Sequence, residues 1–197
     1  MCSSDLGQVL AELSDFAEAM VSETLDYLHN KAVDVMGVPM SEAGEAQSML
    51  VLGMGKLGAR ELNFSSDIDL IFAFPEDGET RGKRRGLSNE EYFTRLGRGL
   101  IRALDESTMD GFVFRTDVRL RPYGDSGPLV MSFDAMEDYY QSQGRDWERY
   151  AMIKARVIAG DRVAGQQLQE MLRPFIYRRY LDFSAFESLR SMKQLIV

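Results

Sequence analysis

The chain has 197 residues, of which 45% are hydrophobic and 27% charged, and this balance is typical of one globular domain, alone or with an appendage. Its 23 Lys and Arg against 31 Asp and Glu leave a formal net charge of −8, which argues against non-specific binding of nucleic acid. One cysteine, Cys2, and one histidine, His29, exclude an internal disulfide, a Cys-based zinc site and a metal site of several histidines. Since no apolar run has membrane-spanning length and the start lacks a secretory signal, we expect a cytoplasmic protein without a membrane partner.

The first quarter of the chain is predicted to contain one long helix, a linker and a strand. Met1 to Gly7 has the composition of a non-native leader, so no function is assigned to it. Apolar residues keep helical spacing from Leu10 to Leu28, and we predict one amphipathic helix there. Residues 37–47 are predicted to be a linker, and residues 48–53 form an apolar run of strand length.

Strands and helices alternate over the rest of the chain, and this order predicts an α+β or α/β protein. A strand is predicted over 66–74, ended by Pro75, and a polar loop over 76–86. A helix follows, which Ser88 caps with Glu91 at capping-box spacing. Further strands are predicted over 110–122, ended by Pro122, and over 129–133, and helices from Asp134 to the end with breaks at Gly144, Gly160 and Pro174.

Two carboxylates lie two residues apart in the predicted strand over 66–74. Since strand side chains alternate between faces, Asp67 and Asp69 point to the same side. Two such carboxylates repel each other unless a cation lies between them, and Mg²⁺ prefers oxygen ligands of this kind. The flanking residues are strongly apolar, which favours a central strand and a metal site, while a solvated strand face remains the alternative.

The predicted strand over 110–122 places one acid among three arginines. Alternation puts Arg115, Asp117, Arg119 and Arg121 on one face. This pattern suits a metal bound by Asp117 with arginines on phosphate oxygens. The alternative is that the arginines neutralise nearby carboxylates and bind no ligand.

A glycine-rich turn, GMGKLG, follows the first predicted strand. Its backbone N–H groups can approach phosphate oxygens closely, although it is not a Walker A loop, because neither Ser nor Thr follows Lys56. Gly53, Gly55 and Gly58 match the spacing of a dinucleotide fingerprint, but the helix after them is too short for that fold. Taken alone, the glycine pattern is therefore unspecific.

Other candidate residues have a simpler interpretation. His29 lies on the long helix and is assigned a surface or capping role. Charges surround Trp147 in GRDWERYAMIKAR, a pattern that favours a helix packed on the sheet. The alternative for that segment is a functional role in which basic residues lie close to the phosphate site, namely Arg145, Arg149, Lys154 or Arg156.

A glycine turn, an Asp-apolar-Asp strand and a third Asp on a later strand resemble the nucleotidyltransferase superfamily that includes DNA polymerase beta. Three longer segments are similar to the bacterial family of glutamine synthetase adenylyltransferase/adenylyl-removing enzymes: VLGMGKLGARELNFSSDIDLIFAFPEDGET, DGFVFRTDVRLRPYGDSGPLV and YYQSQGRDWERYAMIKARVIAG. The run NFSSDIDLIF followed by FPE looks like the N-terminal, adenylyl-removing copy of the two catalytic domains of that family. Lys56 departs from the Ser or Gly of the wider superfamily but is expected within this family.

The resemblance implies a polymerase beta-like mixed sheet with flanking helices and a C-terminal helical segment. It implies an N-terminal helix and linker over 1–47, a nucleotidyltransferase core over 48–133 and helices over 134–197. The implied reaction is metal-dependent attack of inorganic phosphate on AMP-tyrosine of glutamine synthetase, which releases ADP and regulates nitrogen assimilation.

The resemblance also implies site residues and partners. Two Mg²⁺ ions are expected, and the catalytic residues that would bind them are Asp67, Asp69 and Asp117. The residues expected to contact the nucleotide and its phosphates are Gly53, Gly55, Lys56, Ser66, Arg119 and Arg121. The expected partners are adenylylated glutamine synthetase, the PII signalling protein, ADP or ATP, and phosphate. Two other functions stay open at this point: AMP transfer from ATP in the forward direction, and a nucleotide-binding regulatory domain without turnover.

Overall fold

The computed structural model describes residues 3–82, 86–109 and 111–177. Its helices are α1 (Ser3–Met36), α2 (Gly55–Gly58), α3 (Asn89–Asp105), α4 (Phe133–Ser142), α5 (Asp146–Ile153) and α6 (Arg162–Ile176). Its strands are β1 (Val38–Ser41), β2 (Leu50–Gly53), β3 (Ile68–Phe74), β4 (Gly78–Arg81), β5 (Thr116–Asp117), β6 (Val130–Ser132) and β7 (Arg156–Ala159). In this part of the chain, none of the helices combines the length and the apolar character that crossing a membrane requires.

A mixed five-stranded sheet forms the centre of the molecule and confirms the α+β class. Its order is β5-β3-β2-β7, and β6 also pairs with β3. β2 runs antiparallel to both β3 and β7, whereas β5 and β6 pair parallel to the beginning and the end of β3. The prediction that the Asp67–Asp69 segment leads into a central strand is thus confirmed.

Alternating side chains of the sheet build a core on each face. Leu70 and Phe72 of β3 point towards α1 and α3, while Ile71 and Ala73 point towards α4, α5 and α6. Neighbouring β2 alternates in the same way and is buried along its whole length. The sheet is therefore a middle layer between two layers of helices.

Helices α1 and α3 form where they were predicted, although α1 extends beyond the predicted span of Leu10 to Leu28 at both ends and includes part of the segment set aside as a leader. Apolar residues of α1 at helical spacing, among them Val21 and Leu25, are buried against α3 and the sheet. The Ser88 hydroxyl accepts the Glu91 backbone N–H at 3.1 Å and so caps α3 as predicted.

His29 serves packing between α1 and α3. Its Nδ1 lies 3.1 Å from the Tyr92 hydroxyl, and the two rings meet edge to face. Burial lowers the pKa of His29 below its ordinary value, and the charge of Asp26 opposes this shift only in part.

Stability should therefore depend on His29 at mildly acidic pH. Because the pKa of His29 is lower in the folded state, the full contribution of neutral His29 to the free energy of unfolding is present above the unfolded pKa of about 6.5. This contribution is lost as the pH falls below that value. We expect the melting temperature to fall more between pH 8 and pH 5.5 in the wild type than in His29→Gln. Thermal unfolding followed by circular dichroism measures this difference, and equal losses in both proteins would contradict the assignment.

The linker predicted over 37–47 is wrong, because β1 forms there. β1 pairs antiparallel with β4, which lies within the loop predicted over 76–86. The amide of Asn89 joins the two segments, donating to the Met40 carbonyl at 3.0 Å and to the Glu76 carbonyl at 2.9 Å. This small sheet depends on pairing between distant segments, which the local turn-like composition does not reveal.

The strand predicted over 110–122 is also wrong in length, since over residues 111–122 the structure has a strand at Thr116 and Asp117 alone. The chain turns directly afterwards, because the Asp117 carboxylate accepts the backbone N–H of Arg119 at 2.8 Å and the Arg121 N–H bonds to the Val118 carbonyl at 3.3 Å. The predicted shared face therefore does not extend from Asp117 to Arg121.

The segment after Asp134 is not helical throughout. β7 lies between α5 and α6 and completes the central sheet beside β2. Breaks at Gly144 and Gly160 are confirmed, but Pro174 lies inside α6 and does not end it. Residues 178–197, where helices were also predicted, lie outside the described residues.

Candidate active site

The three predicted carboxylates lie at one end of the central sheet. Asp67 immediately precedes β3, Asp69 is its second residue, and Asp117 is the last residue of β5. The parallel register pairs Asp69 directly with Asp117, so these two residues are neighbours across the strands. Strand pairing thus brings together residues that are 48 positions apart in the sequence.

The surroundings of Asp69 disfavour its charged form. Burial raises its pKa above the ordinary value, and the charges of Asp117 and Asp67 raise the pKa further. Arg119 and Lys56 oppose this shift. A cation beside Asp69 would relieve the repulsion among these carboxylates.

Two arginines neutralise the outer carboxylates. The Arg119 Nε lies 2.9 Å and 3.0 Å from the two oxygens of Asp117, and these hydrogen bonds lower the pKa of Asp117. The Arg115 Nε donates to Asp67 at 2.6 Å, and another nitrogen of Arg115 donates to the Ser65 carbonyl at 3.2 Å. The interpretation in which arginines balance carboxylates therefore holds in this structure, while both guanidinium groups stay more than half exposed and within reach of an anion.

The glycine turn approaches the same carboxylates. Gly55 begins α2 with a φ of +51°, and a Cβ there would lie 2.8 Å from Oδ2 of Asp69. Lys56 donates to the Ser66 hydroxyl at 3.1 Å, and Ser66 donates to the Asn63 side chain at 2.7 Å. Four of the predicted site residues, Gly55, Lys56, Ser66 and Asp69, thus lie together.

Replacing Gly55 with alanine should damage the site more than the fold. The methyl group would press on the Asp69 carboxylate, and alanine is strained at this positive φ. We expect the rate of the reaction catalysed at this site to fall by about a hundredfold, which is the scale of losing one well-placed polar group. The melting temperature should be only slightly lower. Activity and thermal unfolding of Gly55→Ala test this, and a variant with wild-type activity would contradict the close approach.

A divalent cation fits the donor set around Asp69. Asp67, Asp69 and Asp117 supply hard oxygen ligands, and the pKa of Asp69 is raised first by burial and then by the charges of the other two carboxylates. Over residues 3–82, 86–109 and 111–177, no group of three or more His, Cys, Asp and Glu side chains is placed so that it could hold a metal ion by itself, so a cation here would also need ligands from outside the chain. Mg²⁺ commonly binds through one or two carboxylates and takes its other ligands from water and phosphate oxygens.

The remaining predicted residues lie further from the carboxylates or face elsewhere. A side chain on Gly53 would meet Leu57 and Ile158 at 3.1 Å, so this glycine permits close packing of α2 on the sheet. Arg121 is largely buried and donates to the Val118 carbonyl at 2.8 Å, and its positive charge still helps to lower the pKa of Asp117.

The basic residues of the GRDWERYAMIKAR segment divide by location. The structure places three of them away from the carboxylates in ordinary structural contacts: Arg149 with Asp146 and the Phe175 carbonyl, Lys154 with Glu61, and Arg156 with Glu18 and the Gly58 carbonyl. Arg145 instead lines a cavity together with Arg119. Among the four, only Arg145 is placed beside a predicted site residue, and contact between Arg145 and a phosphate stays a prediction.

Sequence reasoning left Arg115 out of the site, although its contact with Asp67 makes it part of the carboxylate cluster. The signal was present, because Arg115 lies two residues before Asp117 and on the same face of the predicted strand. Ser65 and Asn63 were also missed, and no spacing rule identifies them, since they act through a backbone carbonyl and an amide in an irregular loop.

Fold and site together define an α+β protein with a candidate centre for phosphate chemistry: three carboxylates, a glycine turn and two exposed arginines at one end of a mixed sheet. The family model described as glutamate-ammonia ligase adenylyltransferase matches residues 2–171, and the chain belongs to this family. Bifunctional glutamine synthetase adenylyltransferase/adenylyl-removing enzymes are its relatives. The enzyme of Nitrosococcus oceani is 68% identical over 194 residues, and that of Pseudomonas putida is 64% identical over 194. These matches cover 98% of this chain but 20% of each relative, so the chain spans about a fifth of their length.

Proposed function

We propose that this chain removes AMP from the adenylylated tyrosine of glutamine synthetase by metal-dependent phosphorolysis, with release of ADP. The observation that carries the proposal is the juxtaposition of Asp69 with Asp117 across paired strands, beside Gly55 and two arginines. A half-buried carboxylate whose pKa is raised by burial and by two neighbouring carboxylates, next to exposed guanidinium groups, suits a reaction in which phosphate groups and cations meet. Family membership supports glutamine synthetase as the substrate.

The reaction requires positioning and charge neutralisation more than acid–base groups. An oxygen of inorganic phosphate forms a bond to the phosphorus of AMP, the bond between that phosphorus and the tyrosine oxygen breaks, and the phenolate takes up a proton. Tyrosine has a pKa of about 10, so it leaves without a dedicated acid. This agrees with the location of His29, which packs against Tyr92 between α1 and α3.

In the proposed site, Asp67, Asp69 and Asp117 would hold Mg²⁺, which supplies charge stabilisation for the phosphate oxygens when bound. The planar guanidinium groups of Arg115 and Arg119 match the geometry of phosphate oxygens, and in this structure they donate hydrogen bonds to Asp67 and Asp117. The Gly55 turn allows the backbone to approach closely, because any side chain at that position would meet Asp69.

Partners and direction are part of the proposal. We propose PII, adenine nucleotides and inorganic phosphate as partners, and the cytoplasm as the location, on the resemblance of the sequence to the adenylyl-removing domain. Transfer of AMP from ATP uses the same kind of site in reverse. Consumption of phosphate and consumption of ATP distinguish the two directions.

The direct test offers the chain AMP-modified glutamine synthetase, Mg²⁺ and inorganic phosphate, and follows ADP release by chromatography. We expect ADP only when phosphate and metal are both present, and none with Asp67→Asn. An AMP-transferring activity with ATP and unmodified glutamine synthetase, without phosphate-dependent ADP release, would replace this function by the forward reaction. A folded protein that binds nucleotide but catalyses neither reaction would indicate a regulatory domain without turnover.

A further inference from the structure

A cavity of about 330 Å³ adjoins the carboxylate site on the side of Arg119. Its size lies within the range of ligand pockets, about 300–1,000 Å³. Arg119 lines this cavity and also pairs with Asp117, so one side chain borders both spaces. A ligand whose phosphate lies at the carboxylates therefore has the cavity directly beside it.

The sheet face supports this continuity. Asp69 alternates with Leu70, so it lies on the same face as Ile71 and Ala73. That face is covered by α4, α5 and α6, and two of these helices supply walls of the cavity, Tyr139 from α4 and Trp147 from α5. The carboxylates and the cavity thus open on one side of the sheet.

Two exposed aromatic side chains line the cavity. Tyr123 is 46% exposed and Trp147 is 41% exposed, which is a high exposure for large rings at a concave surface. Tyr123 has a φ of 61°, a left-handed conformation that is disfavoured for residues with a side chain. A costly backbone conformation that presents an aromatic ring to a cavity is characteristic of a functional position.

Buried polar contacts hold the aromatic wall in place. The Tyr123 ring packs on Tyr139 with centroids 4.4 Å apart, and the Tyr139 hydroxyl donates to Glu148 at 2.6 Å. Glu148 is only 3% exposed, and its other oxygen accepts the Arg145 backbone N–H at 2.8 Å. Gln143 donates to the Tyr123 hydroxyl at 3.2 Å, which fixes the outer edge of the ring.

We infer that this cavity binds the purine base of the nucleotide whose phosphate lies at the carboxylates. The inference rests on the proposed function and adds the part of the site that recognises the base. Flat aromatic walls stack on a purine ring, and the side chains of Gln143, Arg145 and Ser126 offer donors and acceptors to its ring nitrogens and exocyclic group. The phenol ring of the target tyrosine has a single polar group and would leave most of these side-chain donors and acceptors without a hydrogen-bond partner.

Trp147 is the only tryptophan of the chain and therefore reports on the cavity by its fluorescence. The 197-residue chain is titrated with ADP, with ribose 5-phosphate as a probe that lacks the base, and with phenyl phosphate as a probe for the phenol. We expect saturable quenching by ADP and at least about tenfold weaker binding of both other probes, since base stacking is worth roughly this much. Binding of phenyl phosphate or ribose 5-phosphate as tight as that of ADP would overturn the purine assignment.

Variants of the wall sharpen the test. Tyr123→Leu should bind ADP about tenfold more weakly, whereas Tyr123→Phe keeps the ring and should bind within about twofold of the wild type. Tyr27→Leu, a change of another exposed tyrosine on α1, is the matched control and should bind normally. If Tyr123→Leu does not fold, Trp147→Leu measured by calorimetry takes its place with the same expectation.

The outcomes separate this inference from the proposed function. If the wild type releases ADP from modified glutamine synthetase but Tyr123→Leu binds ADP as tightly as the wild type, the purine subsite is wrong and the phosphorolysis stands. If ADP quenches Trp147 and Tyr123→Leu weakens this binding, the subsite is supported even where no turnover occurs, and the proposed reaction fails instead.

Discussion

Replacing Asp69 with asparagine is expected to abolish phosphate-dependent ADP release while the chain stays folded. Asp69 pairs with Asp117 across the strands and lies two residues after Asp67, and burial together with these two charges raises its pKa, so we place its charge at the centre of the proposed cation site. Asparagine keeps the shape but removes the charge that would stabilise the metal and the phosphate oxygens. We expect the rate to fall by about a thousandfold or more, because charge stabilisation dominates the rate enhancement of such reactions and each ~1.36 kcal/mol changes the rate tenfold.

The matched control for this change is Asp34→Asn, which removes an exposed carboxylate of α1. It should release ADP at the wild-type rate. Circular dichroism and the melting temperature establish that both variants are folded. If Asp69→Asn retained more than about a tenth of the wild-type rate, the assignment of Asp69 to the reaction would be wrong.

Replacing Gly58 with alanine is expected to destabilise the whole fold. A Cβ at Gly58 would collide with the carbonyl oxygen of Lys154 and would lie 2.5 Å from that of Gly53. Both are backbone atoms, so no side-chain movement relieves the overlap. We expect a loss of about 3 kcal/mol, at the upper end for overpacking, and a melting temperature about 6–12 °C lower.

Gly99→Ala provides the control within a helix. Gly99 lies in α3, and a Cβ there would meet Leu28 at 3.6 Å, which is ordinary contact. Removing a helical glycine should stabilise the protein by about 0.5–1 kcal/mol. Thermal unfolding of the two variants should therefore shift in opposite directions, and a stable Gly58→Ala would show that α2 does not pack as tightly as described.

The features that sequence patterns predicted correctly depend on local periodicity. The alternation of acidic and apolar residues identified β3 and its carboxylates, and Ser88 with Glu91 located the start of α3. Each of these signals lies within a few consecutive residues. The site residues Asp69 and Gly55 could be proposed together because the turn and the strand are close in sequence, and they meet in the structure.

The features that sequence patterns missed depend on distant contacts. β1 pairs with β4 and accepts a hydrogen bond from Asn89, and β7 pairs with β2, so both strands depend on segments that are distant in the sequence. Alternation over 110–122 suggested a long strand, yet the Asp117 carboxylate bonds to the Arg119 backbone and turns the chain. The aromatic cavity could not be predicted, since it joins the turn at Tyr123 to two helices that follow it.

The most direct test of the central proposal uses ³²P-labelled inorganic phosphate with AMP-modified glutamine synthetase and Mg²⁺. The reaction breaks the bond between the tyrosine oxygen and phosphorus and joins the labelled phosphate to AMP, so the label should appear in the β-phosphate of ADP. Wild-type chain should produce labelled ADP, and Asp69→Asn should not. Release of unlabelled AMP, with all the label remaining in phosphate, would contradict phosphorolysis at this site.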